Sequence, residues 1–176
     1  MRTLVLGGIR SGKSRWAEDA ISEAAAQLPV RYLATGPTAG GDGWSARVAA
    51  HRDRRPSHWE TVESTDAAAQ LRQFRSCATL VDDIGTWLTA AMDERDAWND
   101  GSVAADVDDL VAAVQVFDSP LVLVSPEVGL TVVPATAAGR RFADALGSVN
   151  QRLAAACDRV VLVVAGQALT LKPQGS

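Results

Sequence analysis

Apolar runs and amphipathic segments alternate along the chain. Residues 3–6 form a short apolar run of the β type, and residues 14–28 carry apolar side chains at helical spacing. Pro29 ends that helix, and residues 30–35 have the pattern of a second strand. The chain is therefore predicted to begin with a strand, a glycine-containing loop, a helix and another strand.

The same alternation continues to the C-terminus. We predict further helices over residues 44–55, 66–75, 84–95, 103–116 and 139–157, and further strands over residues 59–63, 78–82, 121–125 and 159–165. Apolar runs without alternation indicate strands that are covered on both faces, as in parallel sheets. Gly166 and Gln167 can turn the chain back, so that residues 168–172 form an antiparallel edge strand.

This order of elements predicts an α/β fold, with an open and mostly parallel sheet, helices on both faces and a C-terminal antiparallel edge strand. A length of 176 residues suits one domain spanning residues 1–176. Hydrophobic residues make up 47% of the chain and charged residues 22%, which is typical of a globular protein and excludes a disordered one.

Charge is negative overall and positive only locally. The formal net charge is -4, so we expect no binding to nucleic acid or to an anionic membrane surface. Arg47, Arg52, Arg54 and Arg55 form a basic cluster against this background. The cluster is either an anion site or the solvated face of a helix.

The cysteines and the start of the sequence indicate the cellular compartment in which the protein is expected. Cys77 and Cys157 lie far apart without a CxxC motif, which predicts neither a disulfide framework nor a zinc site. A strand pattern begins almost at once, without a leader, and no apolar run is long enough to span a bilayer. We expect a cytoplasmic protein.

The first loop carries the clearest chemical motif, of the form G-x4-G-K-S. Its residues are Gly7, Gly8, Ile9, Arg10, Ser11, Gly12, Lys13 and Ser14. Glycines let the backbone N–H groups surround phosphate oxygens at a helix N-terminus, Lys13 should reach the outer phosphates, and the Ser14 hydroxyl should bind Mg²⁺. The motif predicts a P-loop (RecA-like) fold that binds a nucleoside triphosphate.

A phosphate loop also needs an acidic group at the end of a neighbouring strand to hold the metal ion. Asp82 ends the apolar run 78–82 and fits this role. Asp83 is the alternative, but it could instead cap the following helix.

Two histidines, His51 and His58, lie around the arginine cluster. A neutral imidazole is a capable nucleophile toward phosphorus, and neighbouring guanidinium groups would neutralise charge on a transferred nucleotidyl group. This segment alone does not decide between the two histidines, nor between a catalytic and a structural role.

Together these residues resemble a known family, the adenosylcobinamide kinase/adenosylcobinamide-phosphate guanylyltransferases of cobalamin biosynthesis. The resemblance runs in order along most of the chain, through residues 7–14, 32–35, 51–56, 59–63, 81–82, 127–129, 133–134, 149–153 and 163–166. Residues 89–118 contribute little to it. Pro126 departs from the family pattern, which has asparagine there, and proline removes both an N–H group and a side-chain amide.

The resemblance implies a bifunctional enzyme. The family phosphorylates the aminopropanol hydroxyl of adenosylcobinamide with ATP or GTP, and then transfers GMP from GTP to that phosphate with release of pyrophosphate. His51 matches the histidine that becomes guanylylated. The positions matching nucleotide contacts are Ala34, Thr35, Gly36, Arg52, Asp53, Arg54, Arg55, Glu63 and Asp82. The resemblance also implies a homo-oligomer, a trimer in the family.

Two other functions stay open on the residues alone. One is a simple small-molecule kinase that uses only the phosphate loop and Asp82. The other is a non-enzymatic binding module whose partner interaction is switched by nucleotide.

Overall fold

The computed structural model describes residues 1–36 and 56–173. In these parts of the chain the strands are β1 (Arg2–Gly7), β2 (Val30–Ala34), β3 (Glu60–Glu63), β4 (Ala78–Asp82), β5 (Leu121–Pro126), β6 (Arg159–Val164) and β7 (Gln167–Lys172). They form one sheet in the order β3-β2-β4-β5-β1-β6-β7. Strands β1 to β6 are parallel, and β7 runs antiparallel to β6 at the edge. The predicted sheet and its antiparallel edge strand are confirmed.

Helices cover both faces of this sheet. The described helices are α1 (Lys13–Ala25), α2 (Ala67–Gln73), α3 (Ile84–Glu94), α4 (Ala104–Gln115) and α5 (Ala137–Ala156). Helix α1 packs on one face through Ala17 and Ile21, and the other four helices pack on the opposite face. No helix among the described residues is both long enough and apolar enough to cross a membrane.

The central strands are buried on both faces, as their apolar runs predict. On β1, Leu4 and Leu6 belong to the core under α2 to α5, whereas Val5 faces α1. On β4, Val81 belongs to the core under α2 to α5, whereas Leu80 faces α1. The period of two in a strand sends successive side chains to opposite faces, so both helical layers need apolar partners.

Several element boundaries differ from the predicted ones. Helix α1 ends at Ala25, because Ala26 takes a left-handed φ of 53° and starts the turn that leads to Pro29. The final hairpin turns at Ala165 and Gly166, with φ of 50° and 76°, one residue earlier than predicted. A two-residue hairpin of this type needs positive φ at both central positions. The predicted helix over residues 44–55 lies outside the described residues.

Candidate active site

The phosphate loop joins the end of β1 to the start of α1. Arg10 and Gly12 both have left-handed φ, 58° and 94°, so the chain curls on itself between strand and helix. Such a curl turns successive N–H groups toward one point, which makes a concave site for an anion. The Lys13 ammonium lies 3.4 Å from the carbonyl oxygen of Gly8 and therefore arches over the loop. Ser14 lies in the first turn of α1 and is partly buried.

A side chain would be crowded at two glycines of this loop. A Cβ atom on Gly7 would overlap the Ser11 hydroxyl and lie 2.8 Å from the carbonyl oxygen of Val163. A Cβ atom on Gly12 would lie 3.2 Å from Cα of Gly166. The loop rests against the β6–β7 turn, where the Gly166 N–H donates to the carbonyl oxygen of Ser11 at 2.8 Å. The loop is thus built in contact with the sheet and its last hairpin.

The two aspartates after β4 have different surroundings. The Tyr32 hydroxyl donates to the Asp82 carboxylate at 2.7 Å. The Asp83 carboxylate accepts from the Thr86 N–H at 2.8 Å and forms a capping box at the start of α3. Asp83 therefore has the capping role that the sequence left open. Asp82 as the metal-holding residue stays a prediction, and Tyr32 is a partner that the spacing alone did not single out.

The predicted nucleotide contacts at the ends of β2 and β3 lie at the same edge as Asp82. Ala34 is paired with Asp82 on one side and with Glu63 on the other. Thr35 is fully buried, and its hydroxyl donates to the Asp83 carbonyl oxygen at 2.6 Å. Gly36 is the last described residue before the gap. The carboxyl ends of these strands meet at one sheet edge, the usual ligand-binding edge of an open α/β sheet.

The structure describes only part of the predicted arginine and histidine segment. His51, Arg52, Asp53, Arg54 and Arg55 lie outside the described residues, as does Arg47. His58 is described, and it is exposed in the turn before β3.

A buried hydrogen-bond network holds the end of β5, and sequence reasoning missed it. The Ser125 hydroxyl donates to the Asn150 side-chain oxygen at 2.6 Å, and the Asn150 amide donates to the Pro126 carbonyl oxygen at 3.0 Å. The Glu127 N–H then donates to the carbonyl oxygen of Gly7 at 3.1 Å. Asn150 is a polar residue on the buried face of α5, which is the signal that could have found it.

Pro126 fits this arrangement despite its departure from the family pattern. Its ring packs on Gly85, where a Cβ atom would lie 2.8 Å from the ring Cγ. Its carbonyl oxygen still accepts from Asn150, so the network uses the one hydrogen-bonding group that proline keeps.

The predicted magnesium ligands are one hydroxyl and one carboxylate. Among the described residues no group of three or more His, Cys, Asp or Glu side chains could hold a metal ion by itself. Magnesium bound with a nucleotide takes most of its ligands from phosphate oxygens and water, so one hydroxyl and one nearby carboxylate are enough. Ser14 in the loop and Asp82 at the end of β4 stay the predicted pair for this role.

The fold and the loop define a P-loop protein that binds a nucleoside triphosphate. A type III secretion system ATPase of pathogenic bacteria has a similar structure, with a TM-score of 0.57 and 14% sequence identity. The match covers 92% of this chain and 50% of that chain, so this chain spans about half its length. At this identity the likeness concerns the fold alone.

Sequence comparison places the chain within this class. It belongs to the family described as cobinamide kinase / cobinamide phosphate guanyltransferase, whose model matches residues 3–171. It is 40% identical to the bifunctional adenosylcobalamin biosynthesis protein CobP of Pseudomonas aeruginosa, over 98% of each chain. It is 37% identical to the bifunctional adenosylcobalamin biosynthesis protein CobU of Salmonella typhimurium, over 98% of this chain and 100% of that one.

Proposed function

We propose that this protein phosphorylates adenosylcobinamide with ATP or GTP, and then converts the product to adenosylcobinamide-GDP by transferring GMP from GTP through His51. The observation that carries the proposal is the phosphate loop, complete in sequence and curled between β1 and α1, in a chain that matches the family over residues 3–171.

In the kinase reaction the acceptor hydroxyl attacks the γ-phosphorus. The bond from that phosphorus to the β-phosphate oxygen breaks, ADP or GDP leaves, and the hydroxyl proton passes to water. The loop N–H groups and Lys13 hold the triphosphate and offset charge on the transferred group. Mg²⁺, held by Ser14 and Asp82, would neutralise phosphate charge, and the 2.7 Å hydrogen bond from Tyr32 orients the Asp82 carboxylate.

The guanylyl transfer takes two displacements at the α-phosphorus. A ring nitrogen of His51 first attacks it, and pyrophosphate leaves. A phosphate oxygen of cobinamide phosphate then attacks the same phosphorus, and the bond to His51 breaks. GTP and the second acceptor therefore need not be bound together. Arg52, Arg54 and Arg55 would stabilise the charge on the transferred group.

The remaining contacts follow the same sheet edge. Ala34, Thr35, Gly36 and Glu63 would contact the nucleotide together with Ile9, Arg10 and Asp53. The Thr35 hydroxyl donates to the Asp83 carbonyl oxygen, and the Thr35 N–H donates to the Asp82 carbonyl oxygen. These two bonds support this role because they fix the end of β2 beside Asp82.

The proposal extends to assembly and location. The family resemblance supports a homo-oligomer, with three copies as the expected number. A cytoplasmic location is proposed because both nucleotide substrates are abundant there.

Isotope labelling tests the two reactions separately. With γ-labelled ATP the label should appear in adenosylcobinamide phosphate, and with α-labelled GTP it should appear in adenosylcobinamide-GDP. Lys13→Ala should lower both rates by about a hundredfold or more, because it removes a charge that acts on the transferring phosphates. Product labelled only from the γ-position would favour the simple kinase, and no labelled product at all would favour the binding module.

A further inference from the structure

Three large apolar side chains are exposed together in the segment between β5 and α5. Leu130, Val132 and Val133 are 76%, 92% and 73% exposed. We call residues 127–136 the post-β5 loop. Exposed apolar side chains grouped in this way mark a binding surface more often than single ones do.

The post-β5 loop begins beside the phosphate loop. The Glu127 N–H donates to the carbonyl oxygen of Gly7 at 3.1 Å. A chain advances at most about 3.5 Å per residue, so Leu130 lies within roughly 10 Å of this contact. At its other end Arg140 donates to the carbonyl oxygens of Pro134 and Ala135 at 3.0 and 2.8 Å. The loop is thus fixed beside the site at its first residue and against the start of α5 at its other end.

The loop is also ordered internally without using those three side chains. The Gly129 N–H donates to the Glu127 carboxylate at 2.6 Å, and the Thr131 hydroxyl donates to the Val128 carbonyl oxygen at 3.1 Å. Val128 packs against the core. Packing among residues 1–36 and 56–173 therefore accounts for Val128 but leaves Leu130, Val132 and Val133 exposed.

The chemistry of the loop restricts what can bind it. Residues 128–139 carry no charged side chain. The cation that follows this stretch, Arg140, already donates to the carbonyl oxygens of Pro134 and Ala135, so a nucleic acid or an acidic peptide would find little positive charge here. A large neutral ligand with apolar faces and amide groups at its rim would bury the apolar side chains and bring its amide groups against the polar backbone of the loop.

We infer that the post-β5 loop binds the corrin ring of the cobinamide acceptor through Leu130, Val132 and Val133. This inference rests on the proposed function, which supplies an acceptor of this chemistry: a ring with methyl-bearing faces and neutral amide side chains. The acceptor hydroxyl must reach the γ-phosphate at the phosphate loop, so the rest of the molecule must lie on a flanking surface. Among the described residues, the flank formed by the β6–β7 turn is a two-residue hairpin, whereas the β5 side offers this ten-residue loop.

The test replaces all three side chains by serine in the full-length protein. Leu130→Ser/Val132→Ser/Val133→Ser should raise KM for adenosylcobinamide by about tenfold or more, because three apolar contacts to the ring are lost. KM for ATP and GTP, and formation of the GMP adduct from GTP alone, should change less than about twofold. Val116→Ser is the control for an exposed valine, since Val116 is 49% exposed just after α4, before the start of β5 and so at the other end of that strand.

A truncated acceptor adds a second criterion. An N-acylated 1-amino-2-propanol has the hydroxyl but no ring, and the triple variant should phosphorylate it as well as the wild-type protein does. Equal loss with this acceptor, or an unchanged KM for adenosylcobinamide, would overturn the inference.

Two further experimental outcomes can be distinguished from those described above. If the substitutions change the molar mass measured by light scattering, the surface is an interface with a second copy and the inference is wrong. If the wild-type protein itself transfers no phosphate to adenosylcobinamide, the proposed function fails, and the inference fails with it.

Discussion

Replacing Gly7 by alanine should distort the phosphate loop, whereas the same change at Gly8 should not. The new Cβ atom at position 7 would overlap the Ser11 hydroxyl and lie 2.8 Å from the backbone oxygen of Val163, which cannot move without moving β6. Nothing lies within 4 Å of a Cβ atom at Gly8. The two variants therefore add the same methyl group to the same loop in different surroundings.

The size of the effect follows from the overlap. Forcing an extra methyl group into a packed site costs about 1–3 kcal/mol. For a chain of this length that lowers Tm by roughly 2–12 °C, at about 2–4 °C per kcal/mol. The protein should still fold, because domains of this kind are stable by about 5–15 kcal/mol. Gly8→Ala should stay within about 0.5 kcal/mol of the wild-type protein.

Thermal unfolding without nucleotide measures this difference. Repeating it with GTP at about 100 times Kd should raise Tm of the wild-type protein, since such binding adds about 2.7 kcal/mol. The increase should be smaller for Gly7→Ala, because a displaced Ser11 disturbs the turn that carries Lys13. Equal Tm values for the Gly7 and Gly8 variants, without and with GTP, would refute the steric argument.

Three further predictions concern groups away from the phosphates. Asn150→Ala should lower the free energy of unfolding by about 2–4 kcal/mol in chemical denaturation, because it leaves the buried Ser125 hydroxyl and the Pro126 carbonyl oxygen unpaired. In a double-mutant cycle with Ser125→Ala, the two losses of stability should not add. Burial raises the pKa of the Cys157 thiol to about 12, so alkylation at pH 8 should modify the other, partly exposed cysteine first; rapid labelling of Cys157 in the folded protein would contradict this. The hydrogen bond from Arg2 lowers the pKa of Asp158, so the stability lost in Asp158→Asn should be full near pH 7. This loss should begin to shrink as pH falls below about 4 and should vanish once pH has fallen past the lowered pKa of Asp158; a pH-independent loss would contradict the pairing.

Much of the fold was predictable because the spacing of apolar residues differs between strands and helices. The run 78–82 is apolar at every position before Asp82 except Thr79, and it is a central strand buried on both faces. The phosphate loop was predictable for a different reason, since its glycines and lysine are required at fixed spacing by the phosphate itself.

The sequence could not give the contacts between segments that are distant along the chain. Asn150 lies 25 residues from Ser125, and only the packing of α5 against β5 brings them together. Tyr32 and Asp82 are 50 residues apart, yet the strand register makes them neighbours. The hairpin at Ala165 was shifted by one residue because alanine gives no local signal for the left-handed φ it adopts there.

The central claim is that the protein carries GMP on His51 between two displacements. After incubation with GTP labelled at the α-phosphate, denatured protein should retain acid-labile label in one equivalent per chain at most. The label should be lost in His51→Ala and kept in His58→Ala, the matched control in the same segment. Label that survives in His51→Ala would contradict the account.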